Sequence, residues 1–163
     1  MLTLCAYSAI IMSRKAGGNM YSINATTARK EWSAVVDTVI REKPLFIKRT
    51  RDLMVLAKLD TFEALLDAYT FHADVFVESN GSVTMSLKEI DIAENGADKN
   101  EARHKLANAI LKYAEEYYGD FVYWARGDRK SHIPYVFKVL ILNDPKKIEE
   151  LIKCRNVESK KRP

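Results

Sequence analysis

The residues of this chain best suited to chemistry are cations. Arg29 and Lys30 stand side by side, and Lys43, Lys48, Arg49 and Arg51 follow with no acid between them. A second group, Lys153, Arg155, Lys160, Lys161 and Arg162, is interrupted by a single acid, Glu158. Guanidinium and ammonium groups gathered in this way attract phosphates, nucleic acid first. The commoner outcome for a charge run is a solvated face, and a net charge of +4 over 163 residues does not separate the two.

Groups for making and breaking bonds are sparse. There is no glycine-rich phosphate loop, nucleophile elbow or His-Glu-x-x-His motif. Glu115 and Glu116 are helix neighbours that point about 100° apart, so they read as a solvated face rather than a carboxylate pair. Asp91, Glu94 and Asp98 lack the glycine and ligand spacing of a calcium loop. His72, His104 and His132 are scattered, and Cys5 and Cys154 form neither a Cys-x-x-Cys motif nor a disulfide framework, which fits a reducing cytoplasm. No catalytic residue, metal or cofactor is expected, and the chain reads as something other than an enzyme.

The elements that must present the cations come early. Residues Met1–Asn19 open with an apolar run and turn basic only at Arg14 and Lys15, the reverse of a secretory signal and too short to span a bilayer. They read as an expendable extension or an upstream start, with the functional chain beginning at Met20. Tyr21-Ser22-Ile23 is a short strand, and Thr26 is a candidate helix N-cap. In the helix that follows, Ala28, Trp32, Val35, Val36, Val39 and Ile40 form one apolar stripe, which leaves Arg29 and Lys30 exposed in its first turn, where the macrodipole disfavours cations. Lys43-Pro44 ends it. Leu45–Arg49 reads as a strand, Thr50-Arg51-Asp52 as a tight turn, and Leu53–Leu59 as a second strand. Leu53, Met54, Val55 and Leu56 do not alternate with polar residues, as expected of a strand buried on both faces. One helix layer covers one face of such a sheet, so a second copy of the chain is expected to cover the other, with these four residues at a homodimer interface. Asp60 and Glu63 look like a capping box for a second helix through Leu65, Leu66 and Tyr69.

After residue 70 the pattern changes. Strands 74–79 and 82–87 flank Asn80-Gly81, a hairpin signal. A polar loop over 88–99 leads to a second capping box, Asp98 to Glu101, and a long helix bearing Leu106, Ile110, Tyr113 and Tyr117, with Gly119 as its stop. Tyr113, Tyr117, Tyr118, Phe121, Tyr123 and Trp124 concentrate near its end, and the helical spacing of the tyrosines favours core over a base-stacking platform. Arg126–Lys130 is a basic loop. His132-Ile133-Pro134 opens a helix, Asp144-Pro145 opens a short one through Ile152, and the end from Arg155 frays.

The segment Ala25-Thr26-Thr27-Ala28-Arg29 with Trp32, then Pro44-Leu45-Phe46-Ile47-Lys48-Arg49, Val55-Leu56-Ala57 and an acid-capped helix resembles the Phd/YefM family of bacterial antitoxins. Ser86-Leu87 with Glu89, the Glu101–Tyr117 helix and His132-Ile133-Pro134-Tyr135-Val136 resemble a two-part variant, whose larger C-terminal region is of the RelE/RelB-system antitoxin type. The resemblance implies an α+β protein: a β-α-β-β-α dimerisation and DNA-binding domain over 20–70, an α+β toxin-binding region of hairpin and helices over 71–154, and a basic tail over 155–163. It implies operator DNA, a second copy and a cognate toxin encoded nearby, RelE-like or other, as partners, with no membrane. Arg29 inherits the DNA-touching arginine of the motif that Thr26 opens, Lys30 helps it, and Arg49 and Arg51 match a basic loop near the phosphates. The family commonly has glycine in the turn where this chain has Thr50-Arg51-Asp52. Two other readings stay open: a DNA-binding regulator with no toxin, and a small enzyme or RNA-binding protein using Tyr117–Trp124 and Arg126–Lys130.

Overall fold

The computed structural model describes residues 22–156 and divides the chain after Phe62. The expected extension Met1–Asn19 with Cys5, the strand start at Tyr21, and tail residues 157–163 lie outside the described residues.

The first unit contains β1 (Ser22–Asn24), α1 (Ala25–Lys30), α2 (Trp32–Arg41), β2 (Leu45–Arg49) and β3 (Asp52–Leu56), and α3 (Leu59–Leu66) runs across the division. Its sheet has the order β1-β2-β3, with β1 parallel to β2 and β2 antiparallel to β3. The parallel step follows from the helical crossover between β1 and β2. Ile23, Leu45 and Ile47, at strand period, meet Ala28, Val35 and Val39, at helix period, in one small core. Trp32 and Ile40, expected on the same stripe, are 53% and 54% exposed.

Several local expectations change. The cap of α1 is Asn24, whose Oδ1 accepts from Thr26 N at 2.8 Å, so Thr26 is already inside the helix. Asn is as good a cap as any and comes two residues earlier. The expected single helix breaks at Glu31 (φ −110°, ψ 33°), which puts Arg29 and Lys30 in the last turn of α1. There the macrodipole favours cations, so their position carries no penalty. α3 begins at Leu59, placing Asp60 in its first turn with Lys58 at 2.8 Å rather than at the head of a capping box.

β3 ends at Leu56, short of Leu59, and it is not buried within one chain: Leu53, Met54 and Val55 are 51%, 47% and 60% exposed. The reason is topological. β3 is an edge strand with no neighbour on one side, and the core of this unit packs on the face of Leu45 and Ile47, opposite to that of Leu53 and Val55.

The second unit holds β4 (Phe71–Val77), β5 (Val83–Leu87), β6 (Ile92–Gly96), α4 (Lys99–Gly119), α5 (Phe121–Trp124), a 3-10 helix (Gly127–His132), α6 (Ile133–Leu142), α7 (Pro145–Leu151) and β7 (Ile152–Asn156). The sheet order is β6-β5-β4-β7, antiparallel except for β7, which pairs parallel with β4. Phe71, Ala73 and Val75 of β4 and Val83, Met85 and Leu87 of β5 line the buried face against Leu106, Ile110 and Tyr117 of α4. The class is α+β, as expected, but beside the helices of the C-terminal region the expected hairpin is part of a four-stranded sheet.

The hairpin is closed by Gly81, which at φ +86° donates to Glu78 O at 2.9 Å. Glu78 N donates to Ser82 O, so the loop has three residues, one longer than Asn-Gly alone suggests. β6 replaces the expected polar loop. Glu94 and Asn95 hid a strand whose pairing, Leu87 with Ile92 through Val83 with Gly96, supplies its order. A Cβ on Gly96 would collide with the Ala102 nitrogen, so glycine lets β6 lie against the first turn of α4. Asp98 Oδ1 accepts from Asn100 N and Glu101 N at 2.8 and 2.9 Å, and Glu101 Oε2 accepts from Ala97 N at 2.7 Å, so the capping box forms one residue wide of its usual return bond. Gly119 lies within the last turn of α4, which stops at Asp120. Ile152 leaves the expected helix for β7, and Arg155 is a sheet residue rather than part of a frayed end.

Candidate nucleic-acid interface

The sheet of the first unit decides where its cations go. β1 and β2 run parallel with Asn24 opposite Lys48. The strand end that feeds α1 and the strand end that feeds the Thr50-Arg51 turn therefore lie at the same end of the sheet. α1 has six residues and rises only about 9 Å, so Arg29 and Lys30 stay near that end. Thr26, Arg29, Lys30, Lys48, Arg49 and Arg51 are all exposed. None of these five cations is paired with an acid among the described residues, whereas Arg41 and Lys58 are engaged by Asp37 and Asp60.

Arg49 pairs with Asp52 across the ladder, leaving Thr50 and Arg51 as a two-residue turn. Thr50 has φ +54°, in the left-handed region. For a β-branched residue this costs about 1–2 kcal/mol. The absent glycine is legible in the sequence; the backbone state is not. Among the described residues, the other non-glycine residues in this region are Asp91 and Asn143, types that tolerate it; Asn143 follows the end of α6 as its cap.

The expected interface strand separates into two kinds of residue. Met54 and Leu56 lie opposite Ile47 and Leu45, on the helix side of the sheet; Leu53 and Val55 lie opposite Lys48 and Phe46, on the other side. Leu56 packs partly on the core, while Leu53, Met54 and Val55 remain open.

In the second unit several cations are engaged. Arg155 grips the buried Asp74 through Nε and Nη2 at 3.0 and 2.8 Å, and Lys88 reaches the other oxygen at 3.1 Å. These partners hold the Asp74 carboxyl below its ordinary value, Arg155 first and Lys88 second. Arg103 donates to the backbone oxygens of Glu149 and Ile152 and lies 2.8 Å from Cys154 Sγ. Beside it is an open cleft of about 520 Å³ lined by Arg103, His104, Lys146, Glu149 and Glu150, of mixed charge and with His104 Nδ1 2.7 Å from Glu149.

The aromatic segment is mainly core. Tyr117 is fully buried and donates to Arg129 O at 2.7 Å; Tyr113 OH lies 2.6 Å from His132 Nδ1; and Arg129 stacks over Trp124 at 4.4 Å. Burial, and after it the charge of Arg129, pushes His132 below its ordinary value. Tyr118, Val122 and Tyr123 are the exposed exceptions. Asp98 is spent on capping α4, and no metal-holding cluster of His, Cys, Asp and Glu occurs among the described residues. No helix among them is long and apolar enough to cross a membrane.

A family model described as the PHD-like antitoxin of RelE/RelB toxin–antitoxin systems matches residues 20–154. A crystal structure at 1.80 Å, described as the antitoxin part of a proposed toxin/antitoxin system from Syntrophomonas wolfei subsp. wolfei, is similar with a TM-score of 0.79 and 32% sequence identity. The match covers 85% of this chain and 100% of that one. No curated protein matches the chain.

Proposed function

We infer the function from one premise: the chain belongs to the family of PHD-like antitoxins of RelE/RelB toxin–antitoxin systems. It is an antitoxin, a regulatory protein whose work is binding rather than catalysis, acting in the cytoplasm. It neutralises a cognate toxin by direct contact and represses its own operon as a homodimer bound to operator DNA.

The observation that carries the DNA-binding part is the parallel pairing of β1 and β2, which supports one basic surface made from α1 and the β2–β3 turn. Arg29 reads the operator, with Thr26, Lys30, Arg49 and Arg51 around it. A dimer doubles Arg29, Lys30, Arg49 and Arg51 to eight cations, and each phosphate contact steepens the salt dependence by about 0.9 log units per log unit. The exposed apolar edge of Leu53, Met54 and Val55 supports the dimer, because such an edge left open invites another strand. Leu56 completes that strand.

Co-expression tests the reading. One product of a neighbouring gene should arrest growth when expressed alone, be rescued by this chain, and co-purify with it. If no neighbouring product is toxic, or the toxic one is neither rescued nor bound, the antitoxin reading falls.

A further inference from the structure

Thr50 occupies a backbone state that its side chain opposes, at an exposed tip between two unpaired arginines. Strain of this kind persists where something other than folding retains it. The turn has two residues, and a glycine would adopt its positive φ without the steric strain of a β-branched side chain. The Thr50 side chain does not repay the strain within the chain: its hydroxyl has no hydrogen-bond partner among the described residues. Asp91 and Asn143, the other non-glycine residues with positive φ among the described residues, are of the types that reach this region most easily, and Asn143 ends a helix by doing so.

We propose that Thr50 is a DNA-contacting residue in its own right, its hydroxyl donating to a phosphodiester oxygen between the positions taken by Arg49 and Arg51. The inference rests on the DNA-binding reading above and extends it to a residue that carries no charge. A neutral donor has a distinct signature. It strengthens binding without releasing a counterion, so its loss weakens affinity and leaves the salt slope unchanged, whereas losing an arginine contact flattens the slope. The turn strain gives a second signature of opposite sign: removing the side chain stabilises the protein while weakening the complex.

The test compares full-length wild type with Thr50→Gly, Thr50→Ser and Thr50→Val. The probes are a labelled duplex of the DNA immediately upstream of the chain's own coding sequence and a random duplex of equal length. Thr50→Gly should raise Tm by about 2–4 °C and weaken binding of the dimer to the upstream duplex by about thirtyfold, the scale of one hydrogen bond in each of two protomers, with the same salt slope. Thr50→Val, which keeps the branching but not the hydroxyl, should lose affinity similarly without the gain in Tm. Thr50→Ser should stay within about twofold of wild type, since it keeps the hydroxyl. The inference is overturned if Thr50→Gly binds as tightly as wild type, if Thr50→Ser loses as much as Thr50→Gly, or if the loss comes with a flatter slope. It also fails if Thr50→Gly does not raise Tm. Wild type that binds neither duplex overturns the DNA-binding reading itself, and this inference with it.

Discussion

The ammonium of Lys138 donates to the backbone oxygen of Tyr69 at 2.7 Å, and its other protons go to Asp67 O at 3.1 Å and Leu66 O at 3.2 Å. One side chain of α6 thereby satisfies three carbonyls at and just beyond the end of α3. A helix end otherwise leaves such groups to water, and a cation there also answers the negative end of the macrodipole.

Replacing Lys138 with methionine keeps the stem and removes all three donors. Stability should fall by about 1–3 kcal/mol, read as the urea midpoint. Amide exchange at residues 66–70 should quicken more than exchange in β4 or β5. Uniform quickening would mean that Lys138 does not act locally.

Asp74 sets an acid limit. Its folded pKa is held down by Arg155 and then Lys88, so its contribution is fully present above the unfolded carboxylate value of about 3.9. It is lost as pH falls below that value through the folded pKa. Asp74→Asn should be less stable than wild type at neutral pH, and the two should converge as the pH is lowered. A constant difference down to the acid transition would show that the carboxylate charge is not what Arg155 and Lys88 hold.

Val55→Lys tests the open edge. In an isolated chain a lysine at this exposed position changes stability by no more than about 0.5 kcal/mol. In a homodimer closed over β3 it buries a charge without a partner, so light scattering should report monomer where wild type reports dimer. An unchanged mass would move the interface elsewhere.

Arg29→Ala should abolish discrimination between the upstream and random duplexes while leaving oligomeric state intact. A bidentate base contact is worth about 1–3 kcal/mol, enough to read in a gel shift. A variant that still selects its own upstream DNA would remove Arg29 from the reading role.

Much of this protein was legible in its sequence, because the signals involved are local. The Leu45–Arg49 strand, the spacing of Ala28, Val35 and Val39 and the cap at Asp98 act over a few residues and stand where the pattern put them, and the Asn80-Gly81 turn does so with one extra residue in its loop. Local signals also misled where two competed. Asn24 outbid Thr26 for the cap, and the apolar spacing of Trp32 and Ile40 described a stripe wider than the core it faces.

The fold as a whole settles which residues find partners far along the chain. Ile92–Gly96 is polar enough for a loop and becomes a strand because β5 offers it an edge; Ile152–Asn156 continues a helical stretch and becomes a strand because β4 offers the other. The cations divide by the same rule. Arg103, Lys138 and Arg155 are taken up by groups between 46 and 81 residues away in sequence, while those of α1 and the β2–β3 turn are left without acids. Sequence determined the elements and the presence of charge, since periodicity and capping need only near neighbours. Which charges stayed free, and the left-handed turn that holds Thr50 among them, depended on the register and direction of strands, which the fold sets as a whole.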